Sequence, residues 1–212
     1  MLIKDLATKD LRLDGRKFDE TRDIHLETFN NMLVLKSGNR TSDSYVIFSY
    51  KKSITKPFPD KPSEGIFQIN LEKGKKNDIL LNFLHNAYTK SKCISMSDLC
   101  IQFNKSVYCV SIEIFPIQVN GDLFRLCVEG INKILEILEL KTYFKPKIIQ
   151  YAGIGQKIFI DSTENEILSC DWQLNVVMKS TREFLMIEKV GTGIPMDCFS
   201  AIITEAMTKL AL

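Results

Sequence analysis

The chain has 212 residues, of which 45% are hydrophobic and 25% charged, the proportions of an ordinary globular protein. Its 28 Lys and Arg residues against 26 Asp and Glu residues give a net charge of only +2, so any nucleic-acid contact must come from a local basic patch. No run of about 18 apolar residues occurs, which excludes a membrane-spanning helix. The N-terminal segment MLIKDLATKD is too polar for a signal peptide, so we expect none.

The elements predicted from apolar periodicity alternate strands with helices. The pattern is strands, helix, strands, helix, strands, helix, which is typical of an α+β protein with helices packed on a mixed sheet. The predicted helices are 2–11, 79–90, one from the Asn120-Gly121-Asp122 turn to about 140, and one that begins at Pro195. The predicted strands are 32–35, 45–50, 65–71, 99–103, 107–119, 146–150, 156–161, 170–178 and 182–190.

The cysteines and histidines give no sign of a metal site. The six cysteines include no CxxC pair, and His25 and His85 are the two histidines. Most of the cysteines lie in apolar runs and are interpreted as small core residues, a usage that fits a reducing compartment. The two histidines stand alone, without a nearby base or nucleophile, so we expect neither a catalytic role nor a metal or other cofactor.

Four stretches, in order along the chain, resemble the RNase PH family. Together they cover more than half of the sequence, and the first contains Asp14, Gly15, Arg16 and Arg22, which match the family's opening motif. The resemblance implies one RNase PH-like domain over 1–212, of the ribosomal protein S5 domain 2-like α+β class. Its parts would be an arm and DGR loop (1–25), a first half (26–145) and a second half (146–212). The four stretches are Arg12–Ile24, Lys56–Glu72, Ser91–Asp122 and Ile160–Pro195.

The second and third stretches resemble the silent ring subunits of the eukaryotic RNA exosome. That resemblance implies a structural subunit of a six-membered ring, which supports 3′-to-5′ RNA processing and degradation. Implied partners are other RNase PH-like ring subunits, cap proteins with S1 or KH domains, a hydrolytic exoribonuclease and RNA, in the nucleus, nucleolus and cytoplasm. The short connection 72–78 and the end of the chain at its last helix suggest a trimmed version from a reduced genome.

The positions that resemble the family's catalytic site carry unsuitable side chains. RNase PH enzymes cleave RNA with inorganic phosphate, which requires arginines to bind the anion and a carboxyl group as general acid. Here the first acidic position is retained, but the arginine positions, the GGT-like turn and the second acidic position are altered. The sequence therefore predicts a silent subunit. The matching residues are Asn86 and Thr89 for the arginines, Asp122 and Leu123 for the turn, and Asp161 and Ile167 for the acids.

We interpret the remaining charged residues near these motifs as solvated or structural side chains. We interpret Asp161, Glu164 and Glu166 as a solvated edge between a strand and a loop rather than a metal or acid cluster. Three arginines of the DGR loop are interpreted as anchors of the N-terminal segment, with RNA binding as the alternative. These arginines are Arg12, Arg16 and Arg22, and their expected partners are Asp14, Asp19, Glu20 or Asp23.

Lys90 and Lys92 follow the second predicted helix and are candidates for RNA contact. In the ring-shaped relatives this neighbourhood borders the central channel, where a few cations suffice to guide a phosphodiester backbone. A solvated helix end explains the same residues equally well, because lysine suits the helix dipole there. Other functions also remain open: an active phosphorolytic exoribonuclease, a contributor to a neighbour's composite site, or an RNA-binding module outside any ring.

Overall fold

The computed structural model describes residues 2–40, 43–71, 77–179 and 183–210, which form two β-sheets covered by helices. The first sheet has six strands: β1 (Ile24–Phe29), β2 (Met32–Ser37), β3 (Tyr45–Thr55), β4 (Ile66–Leu71), β5 (Cys100–Gln102) and β6 (Ser106–Gln118). Their order is β1-β2-β3-β6-β4, with β5 also paired to β6. Only the pairing of β4 with β6 is parallel among these described strands.

The second sheet has four strands, all antiparallel, in the order β10-β9-β7-β8. They are β7 (Pro146–Ile154), β8 (Lys157–Ile160), β9 (Trp172–Lys179) and β10 (Phe184–Gly191). The helices are α1 (Leu2–Thr8), α2 (Asn77–His85), α3 (Leu123–Ile137), α4 (Glu164–Ser169) and α5 (Met196–Leu210), and α2 continues into a π-helical turn, Asn86–Lys90. No helix in these described ranges is long and apolar enough to cross a membrane.

Helix α3 lies between the two sheets and joins them. Its buried face includes Leu126, Ile131 and Ile134, the spacing of an amphipathic helix. This face belongs to a core that takes residues from β2, β3 and β6 and also Ile148 and Val177 of the second sheet. The N-terminus of α3 therefore sits where the two sheets approach each other.

A second core lies on the other face of the second sheet, under α5. Trp172 and Val176 of β9 pack there with Ile202 and Ala206 of α5. A smaller cluster joins α1 to the sheet through Ala7, Ile154 and Phe159, with Phe18 packed against it. The N-terminal arm is thus held against the second sheet, whose strands lie far from the arm in the sequence.

Most predicted elements are present, with differences at their ends. Strand β1 and helix α4 were not predicted, and the predicted helix 79–90 is α2 followed by the π-helical turn. The antiparallel pair of 99–103 with 107–119 is confirmed as β5 and β6, and Asn104 at its turn has a left-handed φ of 57°. Most of the short connection 72–78 and Arg182, the expected start of β10, lie outside the described residues. The division of the domain at 25 and 145 stays a prediction.

Candidate functional site

Arg12 makes a buried, two-point ion pair with Glu166. Its Nε and Nη2 atoms lie 2.9 and 2.7 Å from the two carboxylate oxygens of Glu166. The same guanidinium donates to the carbonyl oxygens of Ile160 and Asp161, at 3.1 Å each. Arg12 is 5% exposed and Glu166 1%. All this donor capacity is used inside the protein, so Arg12 is a structural anchor.

Asp161, at the end of β8, is the centre of a second buried cluster. Arg22 donates to both of its carboxylate oxygens, through Nη2 at 2.7 Å and Nε at 3.1 Å. Arg16 and Arg125 each donate to Oδ2, at 2.9 and 3.3 Å. Burial opposes ionisation of Asp161, but the hydrogen bonds and charge of Arg22, with the charge of Arg125, outweigh it and lower its pKa. These three guanidinium groups favour the ionised form of the carboxylate.

The DGR loop folds on itself and then onto this cluster. Arg16 donates from Nε to Asp14 at 2.7 Å and from its backbone N–H to the same carboxylate at 3.2 Å. Burial tends to raise the pKa of Asp14, but the hydrogen bond from Arg16 and the charge of Arg12 bring it below its ordinary value. Arg16 also reaches the backbone oxygen of Glu20 at 3.1 Å. The loop is thereby locked against the end of β8.

In the structure the three arginines pair with carboxylates, mostly with partners other than those expected. Of the four expected acidic residues, Asp14 alone supplies a carboxylate to them among the described contacts, while the main partners are Asp161 and Glu166. The expectation of a solvated edge was wrong for those two residues, which are 2% and 1% exposed, although Glu164 is exposed. The physical reason is long-range pairing with Arg12 and Arg22, which sequence proximity does not reveal.

The turn before α3 is tightly packed around Gly121. Gly121 has a φ of +91°, and a Cβ atom on it would lie 2.1 Å from the carbonyl oxygen of Ser162 and 3.0 Å from Cδ1 of Ile167. Asp122 is fully buried, accepts a hydrogen bond from the hydroxyl of Ser44 and lies 3.5 Å from Arg22. Its carboxylate is therefore directed into the protein, where Arg22 balances its charge.

A very small cavity adjoins this turn. It is lined in part by Gly121, Gln150, Ser162 and Ile167 and has a volume of about 10 Å³. Within the described ranges, Oε1 of Gln150 and Oγ of Ser162 face no hydrogen-bond partner. This space suits one water molecule and is too small for a phosphate ion.

Asn86 and Thr89, the residues expected at the arginine positions, lie elsewhere, on the π-helical turn. Asn86 faces an open groove, and the hydroxyl of Thr89 is buried without a hydrogen-bond partner in the described part of the chain. The structure thus brings Asp122, Asp161 and Ile167 together around Gly121. No described hydrogen bond or ion pair connects them to Asn86 or Thr89. Leu123 begins α3 and packs against the main core.

The open groove has a volume of about 430 Å³ and runs between the π-helical turn and the β9–β10 pair. Lys90 lines it and is exposed, whereas Lys92 lies beside it with a left-handed φ of 61°. Lys179 and Phe184 line the opposite side, and neither was singled out from the sequence. Among the described residues no group of three or more His, Cys, Asp or Glu side chains is placed to hold a metal ion.

The fold resembles that of solved exosome structures. No protein-family model matches the chain. The chain superimposes on an Archaeoglobus fulgidus exosome structure with RNA bound to the active site, with a TM-score of 0.80 over 99% of this chain and 93% of that one, at 18% identity. An archaeal exosome core gives a TM-score of 0.75 over 100% and 97%, at 19% identity. Rice (Oryza sativa) Rrp46 gives 0.73 over 94% and 96%, at 13% identity.

The fold is that of the RNase PH-like exosome core subunits. Sequence relatives of the chain agree with this. Exosome complex component Rrp42 of Methanosarcina acetivorans is 26% identical over 89% of this chain and 81% of its own length. Its Methanosarcina mazei counterpart is 25% identical over 97% and 86%. Exosome complex component rrp43 of Schizosaccharomyces pombe is 22% identical over 89% and 83%.

Two features of the candidate site were missed from the sequence. Arg125 was not singled out, although it stands in the first turn of α3 and reaches Asp161. The other is the capping box of α4, in which Thr163 accepts from the Glu166 N–H and Glu166 accepts from the Thr163 N–H at 2.8 Å. The spacing Thr-x-x-Glu is the signal that predicts such a cap. It would have identified Glu166 as a structural residue.

Proposed function

We propose that this chain is a non-catalytic ring subunit of an RNA exosome core that supports 3′-to-5′ RNA processing and degradation. The observation that carries the proposal is the superposition of nearly the whole chain on exosome core subunits. Its sequence relatives, which are exosome components, agree with it. Likeness over the full length favours assembly into the same kind of ring.

The lack of catalysis is supported by what fills the family's catalytic positions. Asn86 and Thr89 carry no positive charge to bind phosphate, and Ile167 has no proton to donate. Asp161 is retained, but its carboxylate is engaged by Arg16, Arg22 and Arg125. A site whose arginines are already engaged by a carboxylate, and whose acid is held ionised, is expected to be silent.

The proposed partners are other RNase PH-like ring subunits and RNA. S1 or KH cap subunits, a hydrolytic exoribonuclease, and residence in the nucleus, nucleolus and cytoplasm complete the proposal. The segments SEGIF-INLE and SKCI-LCI-VY resemble ribosomal-RNA-processing protein forty-five, and we propose that paralogue for the eukaryotic ring. The Rrp42 and rrp43 relatives are the alternative paralogues.

The ring assignment is tested by co-expression of the chain with a catalytic-type RNase PH-like subunit. Size-exclusion chromatography with light scattering is expected to show a stable heterodimer or its hexamer. A chain that stays monomeric at high concentration, with and without the candidate subunit, would overturn the assignment.

We also propose that Lys90 and Lys92 contribute to the RNA path of the ring. Both side chains are exposed, and in the described structure neither forms an ion pair. Lys90→Glu with Lys92→Glu is expected to weaken RNA binding by the assembled ring. The matched control is Lys51→Glu with Lys56→Glu, which changes two exposed lysines on another surface by the same charge. If the two double variants bind RNA equally well, the proposed contribution of Lys90 and Lys92 to the RNA path is rejected.

The second candidate is an active phosphate-dependent exoribonuclease, or a chain that lends cations to a neighbour's site. The retained Asp161 and the fold favour it. It predicts phosphate-dependent RNA trimming that falls when Asp161 is changed, by this chain alone in the first case and only within the heterodimer in the second.

A further inference from the structure

We propose that the groove between the π-helical turn and the β9–β10 pair is a nucleotide subsite for single-stranded RNA. Lys90 and Lys179 would bind backbone phosphates, and the ring of Phe184 would stack on a base. The inference rests on the proposed RNA-binding function and adds residues that this function does not assign.

The groove brings cations and an aromatic ring together from separate parts of the chain. Asn86 and Lys90 come from the π-helical turn, Lys179 ends β9 and Phe184 begins β10. Its volume of about 430 Å³ falls within the range of small-molecule sites. The groove is open, so single-stranded RNA can lie along it.

Phe184 is suited to stacking because its side chain is left partly uncovered. It is 38% exposed, although an aromatic ring in a strand normally gains stability by burial. Aromatic side chains beside a basic groove are the usual platform for unpaired bases, and they accept any base because every base has a π face. The amide of Asn86, on the same groove, offers a donor and an acceptor to a base edge.

Lys179 is positioned to take a phosphate in exchange for its present partner. Its Nζ lies 2.5 Å from Glu183, whose side chain is 66% exposed, and 5.2 Å from the ring centroid of Phe144. An exposed lysine–glutamate pair is weak and is screened by salt, so the singly charged phosphates of an RNA backbone can compete with it. Phe144 is buried, and its ring faces the ammonium group of the lysine. Lys90, across the groove, has no ion-pair partner in the described part of the chain.

The test measures binding of the full chain to a fluorescein-labelled oligoadenylate of twelve nucleotides and to an abasic oligomer of the same length. Phe184→Leu is expected to weaken oligoadenylate binding about 5- to 10-fold and to leave the abasic oligomer unaffected, because a base is needed for stacking. Lys179→Gln is expected to weaken both and to reduce the salt slope by about 0.7, the value for one phosphate contact on a single strand. Lys189→Gln on β10, which lies outside the groove, is the matched control.

The outcomes separate this subsite from the proposed function. In one outcome, RNA binding is unchanged in Phe184→Leu and Lys179→Gln but is weaker in rings that carry the double variant Lys90→Glu with Lys92→Glu. That outcome overturns the subsite and leaves the ring function standing. In another outcome, the variants lose RNA binding as expected but the chain joins no ring. That outcome supports the subsite and overturns the ring assignment. Equal losses of both oligomers in Phe184→Leu would show a folding defect or a non-stacking contact, and would reject the stacking role.

Discussion

The guanidinium of Arg12 donates to both carboxylate oxygens of Glu166, at 2.9 and 2.7 Å, across 154 positions of the chain. Glu166 simultaneously accepts from the backbone N–H of Thr163 as part of the α4 cap. One carboxylate therefore holds the N-terminal arm and starts a helix of the second half. The Arg12–Glu166 pair therefore gives a residue of the family-like motif a structural role.

Replacement of Arg12 by Met is expected to destabilise the protein by about 3–5 kcal/mol, because Glu166 would remain buried without its counter-charge. Urea unfolding measures this loss. Lys4→Met is the control, since the Lys4–Asp171 pair is largely exposed and is worth at most about 1 kcal/mol. Similar losses in the two variants would contradict the structural role of Arg12.

Gly121 is expected to tolerate alanine much less than Gly155 does. Both have positive φ, which costs an L-residue about 1–2 kcal/mol, but a Cβ on Gly155 meets nothing within 4 Å. At Gly121 the added carbon collides with the Ser162 carbonyl, so we expect a further loss of about 1–3 kcal/mol. Thermal or urea unfolding of the two variants compares them. Equal losses would mean that the turn relaxes freely.

Acid is expected to destabilise the protein partly through Asp161. The folded-state pKa of Asp161 lies below that of the unfolded chain, which is about 3.9, so the unfolded state takes up the proton first. Its contribution is therefore complete at neutral pH and is lost as the pH falls below about 5 toward the folded-state pKa. Asp161→Asn should be less stable at pH 7 and show a shallower decline of unfolding free energy between pH 5 and pH 3. An unchanged decline would assign the acid sensitivity to other carboxylates.

Ile167→Asp alone is not expected to create phosphorolytic activity. The new carboxyl group restores one position of the family site, but Asn86 and Thr89 still supply no cation for phosphate. The assay is RNA trimming with and without inorganic phosphate. Ile167→Asn, of similar size and without a proton donor of that kind, is the control. Phosphate-dependent trimming by the aspartate variant alone would show that Asn86 and Thr89 are not the missing elements.

The sequence predicted the elements more fully than the contacts between them. Period-two alternation in β6 places Val110, Ile112 and Ile114 on one face, and all three are fully buried. Strand β1 carries no comparable signal, because all but its first residue are exposed at the edge of the sheet. Alternation of apolar and polar residues therefore predicts strands that have one buried face, but it does not predict an exposed edge strand.

The candidate site shows the same limit. The altered residues at 86, 89, 122 and 167 can be read from the chain in order, since each belongs to a local motif. The burial of Asp161 cannot, because its partners Arg22 and Arg125 are brought to it by the fold from 139 and 36 positions away. Lys179 and Phe184 were missed for a related reason: each is unremarkable in its strand and gains meaning only across the groove from Lys90.

The most direct test of the central claim is phosphate-dependent trimming of a labelled single-stranded RNA by the chain co-purified with a catalytic-type ring subunit. We expect a stable complex in which any phosphate-dependent trimming is unaffected by Asp161→Asn in this chain. Trimming by this chain alone, abolished by Asp161→Asn, would contradict it and would show a catalytic site built around that carboxylate.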